Sequence, residues 1–416
     1  MLKTILFITI IHCTIVLSQA QWIRQNSGTS GVALRDIHFI NDNTGWICGD
    51  GTILKTTNAG KEWIRQNHPA TNKLLSGIHA VDSNVVYCVG WFETLLKTTN
   101  GGTNWIALRN GPVGVPDSYD AVFFSNENTG WFAGDALYIK RTTDGGLTFD
   151  STYIFWNYFT DFYFKDASTG LVCADGSGMF KTTNGGVTWT QKILPTGFGI
   201  PAFDRISFVN NQYGWVVGHD SRVFMTSDFG ETWDSIGFVF GANHPYCSEF
   251  ISLNVGWVGG TYGELFKTTD GGRNWKLENT NSNQAYIGSI WFHNETTGWC
   301  VGGGDKLLYT ENGGQTGVTQ ISETIPIDFN LSQNYPNPFN PETKINYQLK
   351  TFGEIKLIVF DILGKEISTL VNDRQQPGSY QVTFDAGEDN LSSGIYIYSL
   401  FINNRLIDTK KMSLIK

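Results

Sequence analysis

Lys181-Thr-Thr-Asn-Gly-Gly-Val-Thr-Trp189 is one of seven copies of the same nine-residue phrase, and its recurrence decides the fold. The copies begin at Lys55, Lys97, Arg141, Lys181, Met225, Lys267 and Tyr309. Their Asn or Asp stands at Asn58, Asn100, Asp144, Asn184, Asp228, Asp270 and Asn312, a period of about 42 residues. A carboxylate or amide at that place can accept hydrogen bonds from nearby backbone amides, and the glycine two residues later tolerates positive φ. Each phrase therefore reads as a hairpin turn with a structural Asx residue.

Working outward, a second column lies 12 or 13 residues upstream of each Asx, at Trp46, Tyr87, Trp131, Leu171, Trp215, Trp257 and Trp299, usually after a glycine. A third lies seven residues before that, at Phe39, Ala80, Phe124, Phe164, Phe208, Phe250 and Phe292. The spacing predicts four short strands per repeat. Such a unit cannot bury both faces alone, but seven set radially can, since each sheet packs between two neighbours. The seventh copy stops at Gly317 without its last strand, while Trp22-Ile-Arg-Gln-Asn26 repeats Trp63-Ile-Arg-Gln-Asn67. The amino-terminal strand is thus expected to complete the last blade and close the ring.

Composition agrees. Of 416 residues, 14% are aromatic and 16% charged, with 47 Gly and 4 Met, which favours short strands and tight turns over long helices. Eleven of the 14 tryptophans fall in the repeat columns once Trp22 is included. A net charge of -9 with no basic stripe argues against nucleic acid as a partner. Residues 1–20, one cation followed by an apolar stretch and Ser18-Gln-Ala20, read as a signal peptide cleaved before Gln21. No later stretch is long and apolar enough for a transmembrane span. Five cysteines, Cys48, Cys88, Cys173, Cys247 and Cys300, have no metal or redox spacing, and burial is their default role, with one opportunistic disulfide left open.

The pattern Thr226 to Trp233 resembles the Asp-box of BNR repeats. With the Gly-Trp column, the region resembles the seven-bladed photosystem II stability and assembly factor type of propeller. Further on, residues 318–326 read as a linker, and the composition then shifts. Asn334-Tyr-Pro-Asn-Pro-Phe-Asn-Pro341, Val359-Phe-Asp-Ile-Leu-Gly-Lys365, Leu391-Ser-Ser-Gly-Ile-Tyr396 and Lys410-Lys-Met412 resemble a type IX secretion C-terminal sorting domain. The fold expected is all-β: a seven-bladed β-propeller over 21–317, then a small immunoglobulin-like β-sandwich over 327–416 that addresses the chain to the type IX secretion machinery, for a secreted or cell-surface protein.

Chemistry is harder to find. No nucleophile elbow, His-Glu-x-x-His or Walker loop occurs, and neither a cofactor nor a metal site is expected. Asn41-Asp-Asn43 is explained by a hairpin turn. No catalytic residue is assigned, and the favoured function is a noncatalytic binding or scaffold module with an extracellular glycan or protein ligand. The alternative is a sialidase-like or other glycoside hydrolase, which would need two carboxylates about 5–9.5 Å apart. The proposed docking surface is the face opposite the Asx turns, where Trp91, Trp156, Tyr158, Tyr246 and Tyr262 would stack on a ligand and Arg35, Asp161 and Arg205 would orient it.

Overall fold

The structure, a computed structural model, describes residues 22–415 other than 116, 136, 155–157, 177, 196–201, 240, 243, 279, 281–284, 315–317, 323 and 387–390. The leader at 1–20 lies outside the described residues. The chain divides into a compact unit Gln21–Gln315 and a second that holds Thr316–Lys416.

The first unit is a propeller of seven four-stranded antiparallel sheets. In blade 1 the strands are Leu34–Phe39, Gly45–Gly49, Thr52–Thr56 and Ile64–Arg65. The first strand of each blade faces the centre. Leu34–Phe39 neighbours Leu75–Ala80, and the series runs round to Ile287–Phe292, which meets Leu34–Phe39 again. Blade 7 takes its outer strand from the amino terminus, with Ile23 opposite Tyr309 and Arg24 opposite Leu308. Trp22 is buried and meets Phe292 edge-on, centroids 5.6 Å apart.

The three sequence columns are the seams between blades. The second-column ring lies flat on the next blade's Phe: Tyr87 on Phe124 at 3.4 Å, Trp131 on Phe164 at 3.7 Å, Trp215 on Phe250 at 4.3 Å and Trp257 on Phe292 at 3.5 Å. The glycine before that ring has a steric cause. A Cβ on Gly298 would come within 2.4 Å of the Phe292 ring, and one on Gly256 within 2.5 Å of Phe250. Blade 2 shows the converse, since Ala80 replaces the Phe and its cross-strand partner is Val86 in place of glycine.

The lysine that opens four of the phrases has a role that the sequence did not reveal. Lys55 Nζ donates to Gly101 O at 2.7 Å, Lys181 Nζ to Phe229 O at 2.7 Å and Lys267 Nζ to Gly313 O at 2.8 Å, each in the next blade's Asx turn. Trp131 and Trp215 donate to Gly185 O and Gly271 O in the same way, two blades' turns being clasped by the ring before them. The Asx turns themselves match the expectation. Thr226 Oγ1 donates to Asp228 Oδ1 and accepts from Gly230 N, and Asp228 Oδ1 accepts from Thr232 N at 2.9 Å. Gly60, two residues after Asn58, has φ 74°.

The second unit has two four-stranded sheets. One runs Val318–Ser322, Gly378–Asp385, Glu342–Leu349, Asn330–Leu331; the other runs Glu366–Gln375, Gly353–Phe360, Gly394–Ile402, Arg405–Leu414. Ile345 and Tyr347 of the first share one core with Leu357, Val359 and Leu400 of the second, so the two form a sandwich. The stretch 318–326, read as a linker, differs: Val318–Ser322 pairs with Gly378–Asp385 as an edge strand. Five residues without alternation gave that strand no sequence signal. Asn334 is buried, with its N–H donating to Tyr398 Oη and its Nδ2 to Pro336 O and Thr343 Oγ1.

Candidate functional site

The seven inner strands surround a cavity of about 170 Å³ whose lining includes Asp36, His38, His79, Asp161, Arg205 and Glu249. At its middle, Arg205 of blade 5 reaches across to blade 1, where its Nη2 donates to Asp36 Oδ1 at 2.7 Å; its Nη1 lies 3.7 Å from Asp161 Oδ1. Both carboxylates are also tied to backbone. Asp36 accepts from Ile37 N, from Ile78 N of the next blade and from Ser289 Oγ of blade 7. Asp161 accepts from Phe162 N and from Ile206 N of the next blade. The same clasp is thus built twice, in blades 1 and 4, at equivalent strand positions.

Electrostatics follow from this geometry. Burial works against the charge on Arg205, but Asp36 and Asp161 outweigh it and hold the guanidinium protonated above its ordinary range. Burial raises Asp161 to about 6 against the pull of Arg205. Burial, and then the Asp161 charge, raise Glu249 to about 8. Elsewhere in the lining, His38 and His79 pack edge to face at 4.7 Å, and burial lowers both. His38 Nδ1 accepts from Ala80 N.

The predicted site residues do not form one cluster. Asp161 and Arg205 come together, but inside the channel and joined to Asp36. Arg35 is on the rim, its Nε bonded to Asp50 Oδ1 at 2.8 Å. Tyr246 lies in the inner strand Pro245–Phe250 and not in a loop; it is half-buried, edge-on to His219 at 6.1 Å and Tyr286 at 6.0 Å. His219 Nε2 in turn meets Asp204 Oδ2 at 2.7 Å, a bond that raises the imidazole. Trp91, Tyr158 and Tyr262 are exposed, on blades 2, 4 and 6. Trp156 lies outside the described residues.

The exposed aromatics are distributed unequally. Among the described residues of the ring they are Trp91, Tyr138, Tyr153, Tyr158, Phe238 and Tyr262, between 39% and 62% exposed. All six stand on the face opposite the Asx turns, in the loops between second and third strands or at the strand ends beside them. Among the described residues, the exposed large hydrophobic side chains on the Asx-turn face are aliphatic, such as Leu147 and Val187. Tyr153 and Tyr138, the latter passed over in the sequence reading, pair across strands with ring centroids 5.3 Å apart. Their place at the ends of third and fourth strands, outside the repeat columns, was the available signal.

Among the described residues no group of three or more His, Cys, Asp or Glu side chains is arranged to hold a metal ion. Cys48, Cys88, Cys173, Cys247 and Cys300 are free and buried. Among the described residues no helix is long and apolar enough to cross a membrane.

Comparison with known proteins follows the two units. A family model described as Photosynthesis system II assembly factor YCF48 matches residues 15–117, 153–240 and 241–331. A second, Secretion system C-terminal sorting domain, matches residues 333–415. No curated protein sequence matches the chain. Among solved structures it is similar to YCF48 bound to D1 peptide, with 18% identity over 70% of this chain and 96% of that one and a TM-score of 0.58. It is also similar to virginiamycin B lyase from Staphylococcus aureus, with 13% identity over 70% and 98% of the two chains and a TM-score of 0.60. A third is the GH74 xyloglucanase from Xanthomonas campestris, with 9% identity over 79% of this chain and 59% of that one and a TM-score of 0.56. At these identities the likeness is one of fold. The sorting domain directs the chain through the type IX secretion system to the cell surface or beyond it.

Proposed function

Because this chain belongs to the Photosynthesis system II assembly factor YCF48 family and ends in a secretion-system sorting domain, we propose that it is a noncatalytic binding module working outside the cell. The observation that carries this reading is the segregation of all six exposed aromatics of the described ring onto one face. Rings stacked on a sugar or peptide bury large apolar area at small conformational cost, which suits a docking surface. One family relative is described as bound to a peptide, and a peptide or protein ligand is the favoured class here. An address outside the cell speaks against a photosystem as the partner.

The hydrolase alternative has less support. A retaining or inverting glycosidase keeps one carboxyl as acid and the other as nucleophile or base. Asp36 and Asp161 are both occupied, each by two backbone amides and by Arg205. The test is a peptide and glycan array probed with the mature chain, beside an assay for released reducing sugar. Binding that is lost when Trp91, Tyr158 and Tyr262 become Ala, with folding kept and no sugar released, is the expected result. Turnover of any glycan would overturn the noncatalytic reading.

A further inference from the structure

The charges on the aromatic face are as unequally distributed as the rings. Its arginines are engaged: Arg24 with Asp305 at 2.6 Å, Arg35 with Asp50 at 2.8 Å, Arg109 with Glu93 at 2.9 Å and Arg222 with Asp220 at 2.5 Å. Lys140 is bonded to Ser151 and lies 5.2 Å over the Tyr138 ring. Among the described residues, Asp120, Asp135 and Asp175 are three carboxylates of blades 3 and 4 that form no ion pair. Asp175 is exposed and stands directly across the strand pair from Tyr158. Asp135 is exposed and accepts from the Ser118 amide and hydroxyl. Asp120 has its Oδ2 buried with no hydrogen-bond partner among the described residues. Asp120 and Asp135 are near enough to Tyr158 that, after burial, they hold its phenol protonated above the ordinary range.

We propose that the ligand of this face is a basic peptide segment, with a lysine or arginine side chain seated on Tyr158 among Asp120, Asp135 and Asp175. The inference rests on the reading of the ring as a binding module and names the partner's charge. A cation over a tyrosine ring is attracted by the ring quadrupole, and a carboxylate beside it adds a charge-assisted hydrogen bond. A neutral ligand would cover three carboxylates without compensating them, and an acidic one would be repelled. Lys140 over Tyr138 shows the same pairing of cation and ring already made within the chain one blade earlier.

The experiment is fluorescence anisotropy of the full mature chain with three labelled peptides of equal length, built on Gly-Arg, Gly-Ser and Gly-Glu repeats. The Gly-Arg peptide should bind at least tenfold more tightly than the other two, and its affinity should fall as salt is raised. Asp120→Asn with Asp175→Asn should weaken it at least tenfold while the melting temperature is kept; Asp175→Asn alone, at an exposed site, guards against misfolding of the double variant. Equal binding of all three peptides, or a preference for Gly-Glu, overturns the basic partner and leaves the binding module standing. Failure of all three overturns it as well, and the glycan array then decides the broader reading.

Discussion

Trp299 of the last blade lies on Phe39 of the first, ring centroids 4.3 Å apart and planes 26° from parallel. It is the same contact that joins Trp257 to Phe292 and Trp215 to Phe250, so the seam that closes the circle is built like the seams within it. What differs is the outer strand, which comes from the other end of the chain. Trp22→Ala should cost about 3–5 kcal/mol, the range for deleting a buried ring, read from urea denaturation. Removal of residues 22–26 should cost more, because the strand pairing goes with the ring. A stability change within 1 kcal/mol for either would count against closure by the amino terminus.

The Gly-Phe contact within a blade makes a double-mutant prediction. Gly256→Val should destabilise by about 2–3 kcal/mol through its clash with the Phe250 ring. Adding Phe250→Ala should recover part of that loss, since it recreates the Ala80 and Val86 pair of blade 2. Simple additivity of the two losses would show that the ring and the glycine are not coupled.

Arg205 holds two buried carboxylates at once. Arg205→Met should destabilise by about 3–5 kcal/mol, because Asp36 and Asp161 are then left uncompensated. Asp161→Asn in the same background should restore part of it. Calorimetry of the four proteins of the cycle gives the coupling directly.

Acidity in the channel supplies a pH signature. Glu249 is raised from 4.5 to about 8, so the folded chain binds a proton that the unfolded chain has released across that window. Its contribution to stability is present below pH 4.5 and is lost as pH rises toward 8. Glu249→Gln should remove this slope, and the difference in urea midpoint between variant and parent should grow in the variant's favour from pH 5 to pH 8.5. A difference that stays constant with pH would contradict a protonated Glu249.

The Asx turns should be separable from function. Thr226→Ala removes the hydroxyl that bonds Asp228 and Gly230, and should cost about 1–2 kcal/mol. Ligand affinity on the opposite face should not change, as titration of the variant would show. Asp144, held down to about 2 by its bonds with Thr148, is expected to remain ionised through any accessible binding assay.

The ring was legible in the sequence because each column performs one contact seven times. Trp131, Phe164 and Asp144 repeat at fixed spacing since the seam between blades repeats at fixed geometry. Even the departures are consistent, as Ala80 with Val86 shows. The channel was not legible, because its bonds join blades that no spacing relates: Arg205 and Asp36 are 169 residues apart. Arg205 and Asp161 were singled out, but as ligand contacts; the pairing of Arg205 with Asp36 as well went unseen. The aromatic face was legible in part. Trp91, Tyr158 and Tyr262 stood outside the columns and are exposed, whereas Tyr246 stood outside them and is an inner-strand residue, a difference that depends on which side of a bulged strand a residue falls.

Since the outer strand of blade 7 is Ile23–Arg24, the earliest part of the mature chain to emerge has no partner until Lys306–Thr310 has followed it. Every intermediate blade can pair its own strands as it appears, yet the assembly as a whole must stay open until nearly three hundred residues have arrived. The last step of ring formation therefore waits on the strand Lys306–Thr310, and a chain cut short before it would carry an open ring.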